Sequence, residues 1–333
     1  MTQLFVCHTQ YNLILAVALA TKMDDLILFQ DFNLTDELKM KLESRFRHCL
    51  FLEGNFPKKV LSAKEKLKKI SFDNAKMQAF TEKCDRIFIV DDMCIQEMYA
   101  LKCAYKNNQA VEMIWLEDGA NAYFSNGVVS GGMGASPTKR WIRKIFFTGR
   151  YGLYGFYDLS TCMGGHKRLT TAYVLFPDSI RQELKNKRLV QITEEQFIKG
   201  MEFMYAGEPI EFTAGSILIA MDKLDVYGEL RHKVNQLIEE IVDSTKVKVY
   251  YKYHPRETEE LPALKNGIEL DRRIALESYL TNSTTKSITV IGIKSTALQT
   301  AKKMGYETVS LINHLEQNEA VIRFYQSIGV ECQ

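Results

Sequence analysis

The stretch that decides the reading is VKVYYKYHPRE, residues 247–257. Val247, Val249 and Tyr251 alternate with Lys248, Tyr250 and Lys252, the period of a strand with two unlike faces. Its β-branched and aromatic side chains suit a pleated surface. His254-Pro255 follows, and proline cannot donate to a ladder and fixes the backbone just beyond the strand end. An imidazole there, with Lys252 and Arg256 beside it, is suited to receiving an anion. The plainer alternative is a solvated histidine at a surface strand end.

Toward the N-terminus, apolar runs at 4–7, 26–29, 49–52, 86–90 and 111–116 alternate with helical patterns near 11–22, 35–47, 58–83 and 94–106. That alternation predicts a parallel sheet with crossover helices. A strand at 171–177 closes the series, 191–205 reads as helix, and Gly207-Glu208-Pro209 breaks the chain. A second series follows: strand 215–221, helix 228–244, the opening strand, helix 274–280, strand 287–291, helix 295–304, strand 307–312 and helix 316–328. The expected domains are 1–210 and 211–333, an α/β pair of Rossmann-like halves facing across a cleft. At 333 residues the chain is long enough for two cores.

Composition excludes several classes. A formal net charge of +2 gives no sign of a nucleic-acid partner. Seven cysteines, odd in number and never spaced Cys-x-x-Cys, argue for free thiols in a reducing compartment. LILAVALA at 13–20 resembles a short signal core, but no Lys or Arg precedes it, and it reads as a buried helix. No apolar run reaches the roughly 18 residues of a membrane span, so a cytoplasmic protein is expected. Between Asp118 and Asp158 there is no acidic residue, while Lys139, Arg140, Arg143, Lys144 and Arg150 are basic and interleaved with Trp141, Ile142, Ile145, Phe146 and Phe147. This segment suits peripheral contact with an anionic membrane surface or a charged glycolipid. A solvated basic face whose aromatics fill the core would read the same.

The chain lacks Gly-x-Gly-x-x-Gly after a strand, a P-loop, a Gly-x-Ser-x-Gly elbow and any Asp-x-Asp pair. Its histidines and carboxylates show no metal-ligand spacing, so chemistry without a metal or cofactor is expected. Glu117-Asp118-Gly119 sets two carboxylates at a strand end, where mutual repulsion can raise one pKa and make a base. An ordinary Asp-Gly surface turn is the alternative. At 291–297, IGIKSTA is a strand, a loop and a helix start; Ser295 or Thr296 is a natural N-cap, and the helix start with Lys294 favours a phosphate. A merely well-capped helix is the alternative. In parallel sheets the ligand loops follow the carboxyl ends of strands, which puts Thr9, Gln10 and Gly119 on the working edge. A base in one half, and an anion site with an acid in the other, suit transfer of a group from a phosphate ester to a hydroxyl.

Glu117-Asp118-Gly119, His254-Pro255 and Ser295-Thr296, in that order, resemble the three short motifs of bacterial sialyltransferases. The likeness is greatest to the group acting on lipooligosaccharide and capsule, related to the bacterial polysialyltransferases. The resemblance implies a GT-B fold, inversion, no metal, CMP-sialic acid as donor, and a galactose-terminated or sialylated glycan as acceptor. It implies Glu117 as general base, with Asp118 as fallback or as a holder of the loop or acceptor. It implies His254 as the acid on the CMP phosphate, Ser295 and Thr296 on the same phosphate, Lys252 near the cytidine and Glu277 on the ribose. Pro255 and Lys294 belong to the same donor site, and Thr9, Gln10 and Gly119 to the acceptor side. Where the family often has two aspartates this chain has Glu then Asp, which leaves the identity of the base open. Another sugar nucleotide, or a non-catalytic nucleotide-binding subunit of a capsule-assembly complex, are the competing functions.

Overall fold

The computed structural model describes residues 1–55, 61–124, 137–157, 162–254, 257, 264–315 and 318–333. They form two compact units, Met1–Gln196 and Phe197–Gln333. The first unit holds seven strands: β1 (Gln3–Cys7), β2 (Asp25–Gln30), β3 (His48–Glu53), β4 (Arg86–Ile89), β5 (Glu112–Leu116), β6 (Thr171–Val174) and β7 (Arg188–Gln191). They pair in parallel in the order β3-β2-β1-β4-β5-β6-β7. Helices α1 (Gln10–Leu19), α2 (Asp36–Arg45), α3 (Ala63–Gln78), α4 (Ile95–Asn107) and α5 (Pro137–Tyr151) occupy the connections, and α6 (Glu194–Tyr205) follows β7.

The second unit has six strands: β8 (Ser216–Ala220), β9 (Val249–Lys252), β10 (Gly267–Glu269), β11 (Ile288–Gly292), β12 (Glu307–Ser310) and β13 (Glu331–Cys332). Their order is β10-β9-β8-β11-β12-β13, again parallel. Helices α7 (Arg231–Ser244), α8 (Leu276–Asn282), α9 (Thr296–Lys303) and α10 (Glu319–Ser327) complete it. The Gly207-Glu208-Pro209 break lies in this unit, where Gly207 N donates to Asn282 Oδ1 at 2.7 Å and Ile210 bridges Ser283.

Parallel strands covered on both faces need near-continuous apolar runs rather than alternation. Leu4 to Cys7 and Leu26 to Phe29 meet that need, and all eight side chains are fully buried. The same rule corrects the reading of the opening stretch. β9 has no solvent face: Val249, Tyr250, Tyr251 and Lys252 are all buried between β8 and β10, while Val247, expected within the strand, is exposed. Three strands that the sequence pattern does not predict, β7, β10 and β13, are sheet edges of two to four residues, too short to show a period. The expected strand at 171–177 ends at Val174 because Pro177 opens a 3-10 turn. The basic, aromatic-bearing segment between Asp118 and Asp158, for which the sequence pattern predicts no helix, contains α5, a 15-residue helix.

Trp115 is the largest fully buried side chain of β5, and its Nε1 donates to Val90 O at 2.9 Å. Gly164 packs on its ring with φ +76, a left-handed conformation that favours glycine, and a Cβ there would stand 2.6 Å from the ring. Asp92 fixes the same loop, accepting from Gly164 N at 3.0 Å and His166 N at 2.7 Å. Gly164→Ala must therefore both strain the backbone and displace the indole. It should lower the unfolding free energy by roughly 1–3 kcal/mol in urea melts. A melt matching wild type would show that the loop relaxes freely.

Candidate active site

The first unit brings its motif together at the end of β5. Glu117 N still donates to Tyr173 O of β6 at 3.1 Å, so the ladder runs to the motif itself. Gly119 then takes φ +58 and opens a 3-10 turn, Gly119–Ala122. From the other side comes the start of α1, fixed by a capping box: Thr9 Oγ1 accepts from Asn12 N at 3.2 Å and Asn12 Oδ1 from Thr9 N at 3.1 Å. Thr9 is exposed and Gln10 half-buried at this helix start.

The two carboxylates of the motif sit in opposite environments. Glu117 is fully buried and accepts from the phenols of Tyr11 and Tyr123 and from Leu175 N, the last at 2.7 Å. Burial, with the Glu117 charge beside them, pushes both phenols well above their ordinary pKa, so they remain donors. Tyr123 is held in turn by Leu175 N at 3.1 Å and Phe176 N at 3.2 Å. Asp118 is only half-buried; Asn12 Nδ2 donates to its Oδ1 at 3.0 Å.

The second unit gathers the residues expected on the donor side at the carboxyl ends of three neighbouring strands. Ala220 of β8 pairs with Lys252 of β9, and Ile219 with Ile291 of β11, so the three strands finish level. Strand spacing puts the ends of β9 and β11 roughly 10 Å apart. Lys252 is buried, with Nζ donating to Tyr253 O at 3.3 Å and Arg272 O at 3.4 Å. Desolvation holds its pKa below the ordinary lysine value against the opposing pull of Glu277 and Asp271. Desolvation likewise raises Glu277, at the start of α8, with Lys252 opposing. His254 is half-buried just past β9, and its carbonyl accepts from Glu257 N at 2.9 Å. Pro255 lies outside the described residues.

At the end of β11, Ser295 rather than Thr296 is the N-cap of α9: its Oγ accepts from Ala297 N at 3.3 Å. Thr296 is the first helical residue and is exposed. Lys294 N donates to Asp222 Oδ2 at 3.1 Å, and its ammonium stands 5.1 Å from the centre of the Tyr227 ring. Tyr227 donates to the same carboxylate oxygen, so Asp222 ties the ends of β8 and β11 together.

The motif reading does not single out Tyr11, Asn12, Tyr123 or Asp222. Only Asn12 leaves a signal, the Thr9-x-x-Asn12 capping spacing; the other three are recognised by whom they touch.

The sequence profile of the family described as Alpha-2,8-polysialyltransferase (POLYST) matches residues 3–311. Among solved structures, spinosyn forosaminyltransferase SpnP superposes with a TM-score of 0.55 at 12% identity, over 100% of this chain and 85% of that one. A Listeria monocytogenes protein assigned as a UDP-N-acetylglucosamine 2-epimerase gives 0.54 at 12%, over 96% and 81%. The glycotransferase of kitacinnamycin gives 0.53 at 10%, over 98% and 83%. At such identities the likeness speaks for the fold, which is GT-B. No curated protein matches the chain in sequence. With the profile spanning nearly the whole length, the chain is a glycosyltransferase of GT-B fold that belongs to the alpha-2,8-polysialyltransferase family.

Proposed function

We propose that the chain transfers sialic acid from CMP-sialic acid to a hydroxyl of a bacterial surface glycan, lipooligosaccharide or capsule, with inversion and without a metal in the transfer step. The observation that carries this reading is twofold: the first unit sets a half-exposed carboxylate, held by Asn12, at the end of β5, and the second unit sets a histidine after β9 and a capped helix start after β11, the two strands flanking β8. The acceptor oxygen attacks the anomeric carbon and gives its proton to a carboxylate. The bond from that carbon to the CMP phosphate breaks, and His254 protonates the leaving phosphate. The Ser295 hydroxyl, the Thr296 hydroxyl and the first N–H groups of α9 offset the phosphate charge, with Lys294 nearby. Lys252 and Glu277 hold the nucleoside. Thr9, Gln10 and Gly119 border the acceptor.

The geometry favours Asp118 as the base. The resemblance implied Glu117, but a general base must come within hydrogen-bond reach of the proton it takes. Glu117 is fully buried, with both oxygens engaged by protein donors. Asp118 is half-exposed, and Asn12 holds Oδ1. Glu117 is then a positioning residue.

The enzyme works at an anionic membrane surface, on the cytoplasmic face, through α5. Trp141, Ile142, Ile145 and Phe146 are 63%, 56%, 52% and 45% exposed along this helix, while Phe147 packs on Tyr151 and Tyr157. A tryptophan-bearing apolar stripe on a helix rich in Lys and Arg is the composition of an interfacial helix. Lys144 and Arg150 are among the described basic side chains; those of Lys139, Arg140 and Arg143 lie outside them. No helix among the described residues is long and apolar enough to cross a membrane.

Asp118→Asn should lower kcat by about 10²–10⁴ with the urea midpoint unchanged. Glu117→Gln should lower stability by roughly 1.5–3 kcal/mol as its charged hydrogen bonds weaken. Full turnover by Asp118→Asn, together with loss of turnover in a stably folded Glu117→Gln, would return the base role to Glu117. His254→Ala should abolish transfer, and CMP should raise the melting temperature more than UDP or GDP; a preference for UDP or GDP would point to another sugar nucleotide. In vesicle sedimentation the chain should bind anionic but not neutral vesicles. Binding unchanged after the five basic residues of 139–150 become Gln and Trp141 becomes Ser would remove the membrane reading.

A further inference from the structure

A second cluster occupies the same strand edge of the first unit, away from the Glu-Asp-Gly motif. His8 follows β1, Cys94 caps α4 just after β4, and Glu97 lies in the first turn of α4. One ligand atom from each, an imidazole nitrogen, a sulfur and a carboxylate oxygen, lie within 4.8 Å of one another. The imidazole is fixed on three sides. Its ring stacks on Phe29 at 4.5 Å between centres with the planes 2° apart. Its Nδ1 faces Asp31 Oδ2 at 3.3 Å. Its Nε2 stands 2.7 Å from Glu97 Oε1, and His8 is only 9% exposed.

Asp31 and Glu97 face the imidazole from its two ring nitrogens. Val90 N at 2.8 Å and Asp91 N at 3.2 Å donate to Glu97, while Gln96 and Asn55 are the neighbours of the Cys94 sulfur. Cys94 is half-buried.

We infer that His8 Nε2, Cys94 Sγ and Glu97 Oε1 form a binding site for one divalent metal ion of the zinc class. Nitrogen, sulfur and carboxylate oxygen is a donor set that zinc accepts, with a fourth position left to water. Asp31 on the opposite ring nitrogen is the usual outer partner of a metal-bound histidine, fixing tautomer and ring plane. Binding displaces the Cys94 thiol proton and any proton on His8 Nε2, so affinity falls as pH drops. The ion would join the ends of β1 and β4 directly beside Thr9, the cap of the helix that presents Tyr11 and Asn12 to the motif. Its role is to hold that loop; it takes no part in transfer, and the inference does not depend on the donor sugar.

The test is uptake of the metal alone by the full chain after chelator treatment. Wild type should take up one equivalent of Co²⁺ with a sulfur-to-cobalt charge-transfer band, lose that band on adding Zn²⁺, and melt at higher temperature when loaded. Cys94→Ser should lose the band and His8→Gln the uptake. Asp31→Asn, which keeps all three ligands, should bind about 10–100-fold more weakly, so a result remains if the ligand variants fail to fold. No stoichiometric uptake by wild type, or full uptake with the band intact in Cys94→Ser, would overturn the inference and leave a closed network of His8 with Asp31 and Glu97.

Discussion

A carboxylate taken out of water must be matched by donors, because leaving it buried and unpaired costs several kcal/mol. Glu117 is matched by Tyr11 from α1, Tyr123 from the turn after the motif and Leu175 N beyond β6. Those partners come from three separate segments, so satisfying one charge fixes the relative position of a helix start, a turn and a strand end. Asn12 belongs to the same helix start and reaches Asp118. The orientation of the exposed carboxylate is thus a consequence of burying its neighbour.

The second unit applies the same device with the opposite sign. Lys252 ends β9 buried, its ammonium held by two main-chain carbonyls, with Glu277 and Asp271 close enough to oppose its loss of charge. Asp222 at the end of β8 takes a backbone N–H from Lys294 and the Tyr227 phenol. In both units, then, the sheet edge is stiffened by buried charges whose partners lie on adjacent elements. The groups proposed to bind the donor, such as His254 and Thr296, stay partly or wholly exposed just beyond those anchors. A rigid edge with a few accessible groups on it is what positioning for group transfer demands.

Much of this was legible in the sequence, and the failures have physical causes. Long apolar runs such as 4–7 and 26–29 announced central strands, and the hydroxyl pair Ser295-Thr296 announced a helix start. β7, β10 and β13 left no trace because edge strands of two to four residues carry no period. The two-faced reading of β9 failed because Tyr250 and the stem of Lys252 can be buried as readily as Val249, and residue type alone does not report what covers a sheet. His8 was invisible as a partner of Cys94 and Glu97 because the sheet order, β1 beside β4, brings together segments far apart in the chain.

The same reasoning explains why the order of roles within Glu117-Asp118 could not be read from the motif. Successive residues of a strand point to opposite faces, so two adjacent carboxylates at a strand end are directed to different surroundings by geometry alone. Which of them turns inward depends on the phase of β5, and that phase normally shows as one apolar and one polar face. Here Met113, Ile114, Trp115 and Leu116 are all buried, so neither face is marked. The choice rests on Tyr11 and Tyr123, whose phenols offer donors on one side only. A pair of acids in this position is one site seen from two sides: the inward carboxylate holds the edge, and the outward one stays half-exposed.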